Sequence, residues 1–112
     1  MDNVKDDAYY ISKIKDCLSF ICKHMKEVSK DQFYDNVLLQ DAMSFRLIQL
    51  SEDSKKLSDT FKNINLEISW VDIIGLRNRI VHDYGNVNLT IIYDTLKYDI
   101  PKVLKILEKY TT

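Results

Sequence analysis

The chain has 112 residues, a formal net charge of -1, and only 2 glycines and 1 proline. This length suits one domain, and so few glycines and prolines disfavour a turn-rich sheet protein. We therefore expect a single helical domain over residues 1–112. A nonspecific nucleic-acid binder is usually basic, so any contact of this chain with RNA has to come from a local group of cations.

The first two predicted helices follow from apolar residues spaced three or four positions apart. The first helix runs from about Val4 to Val28. The second covers about Gln32 to Phe61, with Asp31 as its cap and a bend near residues 35–36. The segment Asn63-Ile64-Asn65 is interpreted as a turn, and the polar stretch 51–56 is expected to be solvated on most sides.

The third predicted helix runs from about Ser69 to His82 or Tyr84 and ends at Gly85, because glycine readily adopts the backbone conformation of a helix C-cap. A fourth helix begins at Leu89, after a cap at Asn88.

Within the fourth helix, Pro101 should introduce a kink or a restart, with Asp99 as a second cap. Four amphipathic helices with short connections predict an all-α antiparallel bundle. The first two helices are long enough that part of their apolar surface would stay uncovered in one chain, which is consistent with a homodimer.

An arginine interrupts the apolar stripe of the third helix. On a wheel at 100° per residue, Arg77 falls in the middle of an apolar stripe. The stripe also contains Trp70, Ile73, Ile74, Val81 and Tyr84. A guanidinium keeps its charge, so burying it unpaired is costly. Arg77 therefore pairs with a carboxylate such as Asp41 or Glu52, lines a wet cleft, or faces a partner subunit across a polar pocket.

Three polar side chains near Arg77 can each be interpreted in a structural or a functional way. His82 lies roughly 140° around an ideal helix from Arg77, so the two meet only if the last turn unwinds or across a dimer axis. His82 equally suits an interaction with the helix dipole, and Tyr84 suits a core or interface position. Asn78 precedes His82 by four residues and could hydrogen-bond to it and orient it.

The remaining chemistry-bearing residues predict no cofactor. Cys17 and Cys22 lie on one predicted helix and match no metal or redox spacing, so we interpret them as reduced thiols. His24 is expected to be a surface residue. No apolar run approaches the roughly 20 residues that cross a bilayer, and the acidic start does not resemble a signal peptide. We expect a cytoplasmic protein without a metal.

The segment WVDIIGLRNRIVHDY, from Trp70 to Tyr84, resembles the motif helix of the HEPN superfamily. The HepT branch of that superfamily carries the pattern Arg-x4-His-x-Tyr. Arg77, His82 and Tyr84 match this pattern, and Asn78 follows the arginine directly, as it commonly does in the superfamily.

The resemblance implies a dimeric helical bundle, in which two motif copies share one cleft, and a metal-independent endoribonuclease toxin. It also implies a partner nucleotidyltransferase of the MNT type, which would inactivate the toxin by adding AMP to Tyr84. In such a site His82 would move protons, Arg77 would stabilise the phosphorane, and Asn78 would maintain the geometry.

Two alternative hypotheses remain. The chain could be a noncatalytic HEPN subunit that docks a nucleotidyltransferase, which the near-neutral charge favours slightly. It could also be a purely structural helical dimer, which would require Arg77 to be saturated by an internal carboxylate.

Overall fold

The regular elements of the computed structural model are helical throughout the residues it describes, 6–82 and 88–110, and the predicted all-α class is confirmed. The elements are α1 (Asp7–Met25), α2 (Lys30–Tyr34), α3 (Val37–Lys55), α4 (Asp59–Ile64), α5 (Trp70–His82), α6 (Leu89–Asp94) and α7 (Ile100–Leu107), with a π-helical turn, Thr95–Asp99, between α6 and α7. Tyr84 and the predicted cap at Gly85 lie outside the described residues.

The long helices form a bundle with one open side. α1 packs against α3 and α7, and α3 packs extensively against α5, whereas α5 and α7 scarcely touch. The centre of the bundle is aliphatic, and its fully buried side chains include Ile14, Leu18, Ile21, Leu47, Leu50, Leu96 and Leu107. Burial of each such side chain contributes roughly 1.5–3 kcal/mol. Helix α5 is therefore positioned mainly by α3.

Local capping explains where most helices begin. Ser29 caps α2, because its hydroxyl accepts from the Gln32 N–H at 3.1 Å while the Gln32 side chain accepts from the Ser29 N–H at 2.9 Å. This reciprocal capping box satisfies two N–H groups at once, so the predicted cap at Asp31 was wrong by two positions. The side chains of Asn36 and Asn88 cap α3 and α6, which confirms the break near 35–36 and the predicted start of the fourth helix.

The predicted second helix is thus divided into α2, α3 and α4. Helix α4 begins after Ser58, whose backbone N–H and hydroxyl both donate to the Asp7 carboxylate, at 2.8 and 2.6 Å. The same helix continues to Ile64, so the turn occupies residues 65–67 and not 63–65. Its first residue, Asn65, is fully buried, and its amide donates to the Tyr110 hydroxyl at 2.8 Å.

The predicted irregularity at Pro101 is confirmed, and it takes the form of a π-helical turn. The Ile100 N–H bonds to the Thr95 carbonyl, five residues back. Proline lacks an N–H and its ring crowds the carbonyl four residues earlier, so a wider turn accommodates it. Asp99 makes no side-chain capping bond, and the predicted second cap is wrong because the helix runs through this position without exposing free N–H groups.

Candidate functional site

Helix α5 buries a different face from the one that the sequence predicted. Its buried residues are Trp70, Ile73, Leu76 and Ile80. Val81, which the prediction placed inside, is 43% exposed. The buried face is centred about 45° away from Arg77 on the helical wheel. Arg77 therefore lies at the edge of the α3–α5 contact, with 41% of its side chain exposed.

The Arg77 guanidinium has two partners among the described residues. Its Nε lies 3.5 Å from the Glu52 Oε1, and its NH1 donates to the Asn78 Oδ1 at 3.3 Å. The carboxylate pair is one of the three predicted arrangements, and Glu52 is one of the two carboxylates predicted for it. Glu52 is 45% exposed, and a pair this accessible to water is worth no more than about 1 kcal/mol. Arg77 is therefore not saturated in the way that a purely structural role would require.

This arrangement orients the guanidinium while leaving donors available. An arginine offers five N–H groups in a fixed plane, and Glu52 and Asn78 engage two of them. Among the described residues no hydrogen-bond partner engages NH2 of Arg77, and paired terminal N–H groups match the geometry of phosphate oxygens. The site can therefore bind a phosphate without first breaking both existing contacts.

His82 is the last residue of α5, and its ring is exposed. Within the described ranges no hydrogen bond or ion pair joins it to Arg77. The Asn78 side-chain oxygen accepts from Arg77, and no hydrogen bond from Asn78 to His82 is present in the part of the chain that the structure describes. One chain thus orients its arginine but does not bring its histidine to it. Tyr84 lies outside the described residues.

A buried serine fixes α5 to α3 beside the site, and sequence reasoning missed it. Ser51 and Ser54 are fully buried, although the stretch 51–56 was expected to be solvated. The Ser51 hydroxyl donates to the Ile74 carbonyl at 2.6 Å, three residues before Arg77 along α5. The signal was available, because Leu47, Leu50 and the two serines follow one another at helical spacing, with small side chains where the helices approach closely.

Several apolar side chains of α3 and α5 are exposed at the molecular surface. Leu38 is 81% exposed, Phe45 58% and Val71 84%. We call this surface the α3–α5 face and define it by its exposed or half-exposed members, Leu38, Phe45, Glu52, Val71, Arg77 and Val81.

The other candidate groups of the sequence lie away from this face. Burial raises the pKa of the Cys17 thiol to about 11, and Cys17 donates to the Arg46 carbonyl at 3.2 Å. His24 is exposed, as predicted, and its ring lies 4.2 Å from that of Phe20. The described residues contain no group of three His, Cys, Asp or Glu side chains placed to bind a metal ion. None of the helices in the described ranges is long and apolar enough to span a bilayer.

An all-helical bundle with Arg77, Asn78 and His82 at the exposed edge of one helix agrees with the HEPN class that the motif predicted. Residues 14–110 match the family described as "Ribonuclease HepT-like", and the chain belongs to this family.

Individual relatives are distant. The chain is 28% identical over 102 residues to a "Putative RNase" of Caldanaerobacter subterraneus, covering 91% of each protein. It is 27% identical over 100 residues to the "Probable ribonuclease HepT" of Thermococcus cleftensis, covering 89% of this chain and 91% of that protein.

A third relative, from Methanocaldococcus jannaschii, is named "Gamma-glutamylcyclotransferase and putative RNase". It is 29% identical over 109 residues, and the match covers 94% of this chain but only 49% of that protein. No solved structure matches the chain.

Proposed function

We propose that the chain is a metal-independent endoribonuclease that cleaves RNA by attack of the substrate's own 2′-hydroxyl. The observation that carries this proposal is the Arg77 guanidinium, which is exposed, oriented by Glu52 and Asn78, and still able to donate. The name of the family supports the substrate class.

In the proposed reaction the 2′-oxygen forms a bond to the adjacent phosphorus and the bond from phosphorus to the 5′-oxygen breaks. His82 accepts the proton of the 2′-hydroxyl or delivers one to the departing 5′-oxygen, a role that suits histidine near neutral pH. Arg77 stabilises the negative charge that builds up on the phosphorane oxygens. The products are a 2′,3′-cyclic phosphate and a 5′-hydroxyl.

A homodimer completes the proposed site. His82 and Arg77 are about 140° apart around α5, and no hydrogen bond or ion pair joins them within the described ranges of one chain. Two motif helices in one cleft would place the histidine of one copy near the arginine of the other.

We further propose that the protein is the toxin of a cytoplasmic toxin–antitoxin pair and that an MNT-type nucleotidyltransferase silences it. The Tyr84 oxygen would attack the α-phosphorus of ATP, release pyrophosphate and retain AMP. Tyr84 follows His82 by two residues, so the added phosphate and base would obstruct the cleft and repel RNA.

The test is incubation of the purified chain with total RNA in EDTA, with two matched histidine variants. The chain has only two histidines, so His24→Ala controls for the loss of an exposed imidazole. We expect the parent and His24→Ala to cut RNA and His82→Ala to lose about 100-fold or more in rate, the usual contribution of a general acid or base. Mass spectrometry of the products should show cyclic phosphate ends.

Unchanged cleavage by His82→Ala, or cleavage that EDTA abolishes, would contradict the mechanism. If no version cuts, the mass of the intact chain decides between two cases. A chain carrying AMP is a silenced nuclease, whereas an unmodified chain favours the noncatalytic docking subunit. The net charge of -1 is the observation that keeps this second candidate open.

A further inference from the structure

We infer that Arg46, which is held against Phe20 on the surface between α1 and α3, is a second phosphate-binding site. It takes the backbone of a single-stranded RNA at a phosphate beyond the one on which Arg77 and His82 act. The inference deepens the proposed function and rests on it for the class of ligand. We call the two residues Phe20 and Arg46 the Arg46 site.

Arg46 is a half-buried cation without a carboxylate partner. It is one of three arginines in the chain, and the other two, Arg77 and Arg79, lie on α5. A guanidinium keeps its charge, so partial burial usually brings an acidic partner. None of the ion pairs among the described residues involves Arg46. The side chains one turn away on α3 are all uncharged, namely Ala42, Met43, Gln49 and Leu50.

The Phe20 ring fixes the position of this guanidinium. The central carbon of the Arg46 guanidinium lies 3.7 Å from the centroid of the ring, which is direct contact with the ring face. Stacking occupies the face of a guanidinium and leaves the N–H donors in its plane free to bind phosphate oxygens. The Arg46 side chain donates no hydrogen bond to any other residue in the part of the chain that the structure describes. Arg46 is therefore oriented and still able to donate.

The backbone beside the stack is also fixed. The Cys17 thiol donates to the Arg46 carbonyl at 3.2 Å, and Cys17 precedes Phe20 by nearly one turn of α1. This contact holds α3 against α1 at the level of the stack. The Arg46 site is thus part of a rigid helix–helix contact, as precise positioning of a ligand requires.

Arg46 lies at the same end of the bundle as His82. Helices α3 and α5 run antiparallel, because Ser51 bonds to the Ile74 carbonyl while Phe45 lines one depression with Ile80 and Val81. Arg46 is therefore level with the last turn of α5, which ends at His82. The two sites flank α3, so they are separated by about one helix width, roughly 10 Å. One strand of RNA can span this distance.

An exposed aromatic ring lies on the path between the two sites. Phe45 is 58% exposed, and on the helical wheel of α3 it falls between Arg46 and Ile48, which faces α5. Unpaired bases stack on such rings, whereas the bases of a duplex are already stacked on one another. In-line attack by a 2′-hydroxyl also requires a strand free of duplex geometry. Both considerations favour a single strand over a duplex.

The experiment measures binding of a labelled single-stranded RNA of about 12 nucleotides, a length within the range that single-strand sites cover. Its sugars carry 2′-O-methyl groups, so the strand cannot be cut, and EDTA is present. By fluorescence anisotropy, Arg46→Gln should raise Kd about tenfold, the size of one lost charged hydrogen bond. The slope of log affinity against log salt should become shallower by about 0.7, the contribution of one single-strand phosphate.

Matched variants separate charge from position. Lys105→Gln removes the same charge from an exposed position of α7 and should leave Kd unchanged. Phe20→Leu keeps the charge but removes the ring that orients the guanidinium. It should weaken binding about threefold without changing the salt slope, and Phe20→Tyr should restore the wild-type Kd because its ring can still stack.

A purely structural stack predicts a different outcome. Arg46→Gln would then melt at a lower temperature, yet bind RNA with the wild-type Kd and salt slope, and this result would overturn the inference. It is also overturned if the wild-type chain binds no RNA, or if a duplex of the same sequence binds as tightly as the single strand. Phe20→Leu supplies an independent test if Arg46→Gln does not fold, since an unchanged Kd for Phe20→Leu contradicts the site.

Cleavage of unmodified RNA separates this inference from the proposed function. A dinucleoside monophosphate cannot reach Arg46, so the wild type and Arg46→Gln should cut it equally. For the longer strand, KM should rise about tenfold in Arg46→Gln with kcat unchanged. Weaker binding by Arg46→Gln in a chain that never cuts RNA leaves the Arg46 site standing and removes the nuclease. Cleavage of the longer strand with an unchanged KM removes the Arg46 site and leaves the nuclease.

Discussion

Lys97 stabilises the carboxyl end of α1 from a distant part of the chain. Its ammonium lies 2.8 Å from the Met25 carbonyl, 3.0 Å from that of Lys26 and 3.0 Å from that of Val28. The last carbonyls of a helix lack intrahelical partners, and a cation also offsets the negative end of the helix dipole. Lys97→Met keeps the apolar stem and removes the charge and all three donors.

The expected loss is about 2 kcal/mol in the free energy of unfolding. A hydrogen bond that involves a charged group contributes about 1.5–3 kcal/mol. The three bonds of Lys97 are not additive, because they share one ammonium and because water can reach the exposed bond to Lys26. With a urea slope of about 1.5 kcal/mol per molar, the midpoint of unfolding should fall by about 1.3 M.

Trp70 reports the transition, since it is the only tryptophan and is 7% exposed. Urea titrations followed by its fluorescence and by far-ultraviolet circular dichroism should coincide. Lys105→Met is the matched control, because Lys105 is exposed on α7 and makes no ion pair with any residue that the structure describes. Equal midpoints for Lys97→Met and Lys105→Met would refute the assignment.

Four further outcomes follow from contacts described above. Glu52→Gln should slow RNA cleavage about tenfold with an unchanged urea midpoint, because the guanidinium loses its orienting carboxylate; faster cleavage would show that the carboxylate competes with phosphate. Iodoacetamide at pH 8 should label Cys22 in the folded chain but Cys17 only in urea, and peptide masses that show equal labelling would contradict this. The Cys17 pKa rises from 9.0 to about 11 on folding, so stability should fall as pH rises through that range, where the unfolded thiol ionises first. Ser29→Ala should cost about 1 kcal/mol in urea titrations, and the exposed Ser19→Ala much less.

The structural features that the sequence predicted correctly are those that depend on residues close together along the chain. Asn88 begins a helix because its side chain reaches N–H groups two and three residues ahead, and Pro101 disturbs a helix through its own ring. The Asp31 error was of the same local kind, since Ser29 and Gln32 satisfy each other and so start the helix earlier.

Which face of α5 is buried could not be predicted from residues close together along the chain. Its apolar residues cover more than half of the helical wheel, so several faces could be buried. The choice depends on α3, where small, buried Ser51 and Ser54 allow close approach and leave Arg77 at the edge. The Glu52 partner was among the predicted carboxylates, but selecting it required the register of two helices that are distant in sequence.

Because one side of the bundle is open, α5 is covered by fewer neighbouring helices than α1. Helix α1 is covered by α3 and α7, whereas α5 is supported mainly by α3. Separating α5 from the bundle breaks its contact with α3 and the contacts of Trp70 with α4 but leaves the α1–α3–α7 unit standing, so its local opening free energy lies below that of global unfolding. In hydrogen-exchange terms, the amides of α5 should form a foldon that opens first. The helix that carries Arg77 would then be the least protected of the three long helices, and any occupant of the α3–α5 face would slow its exchange.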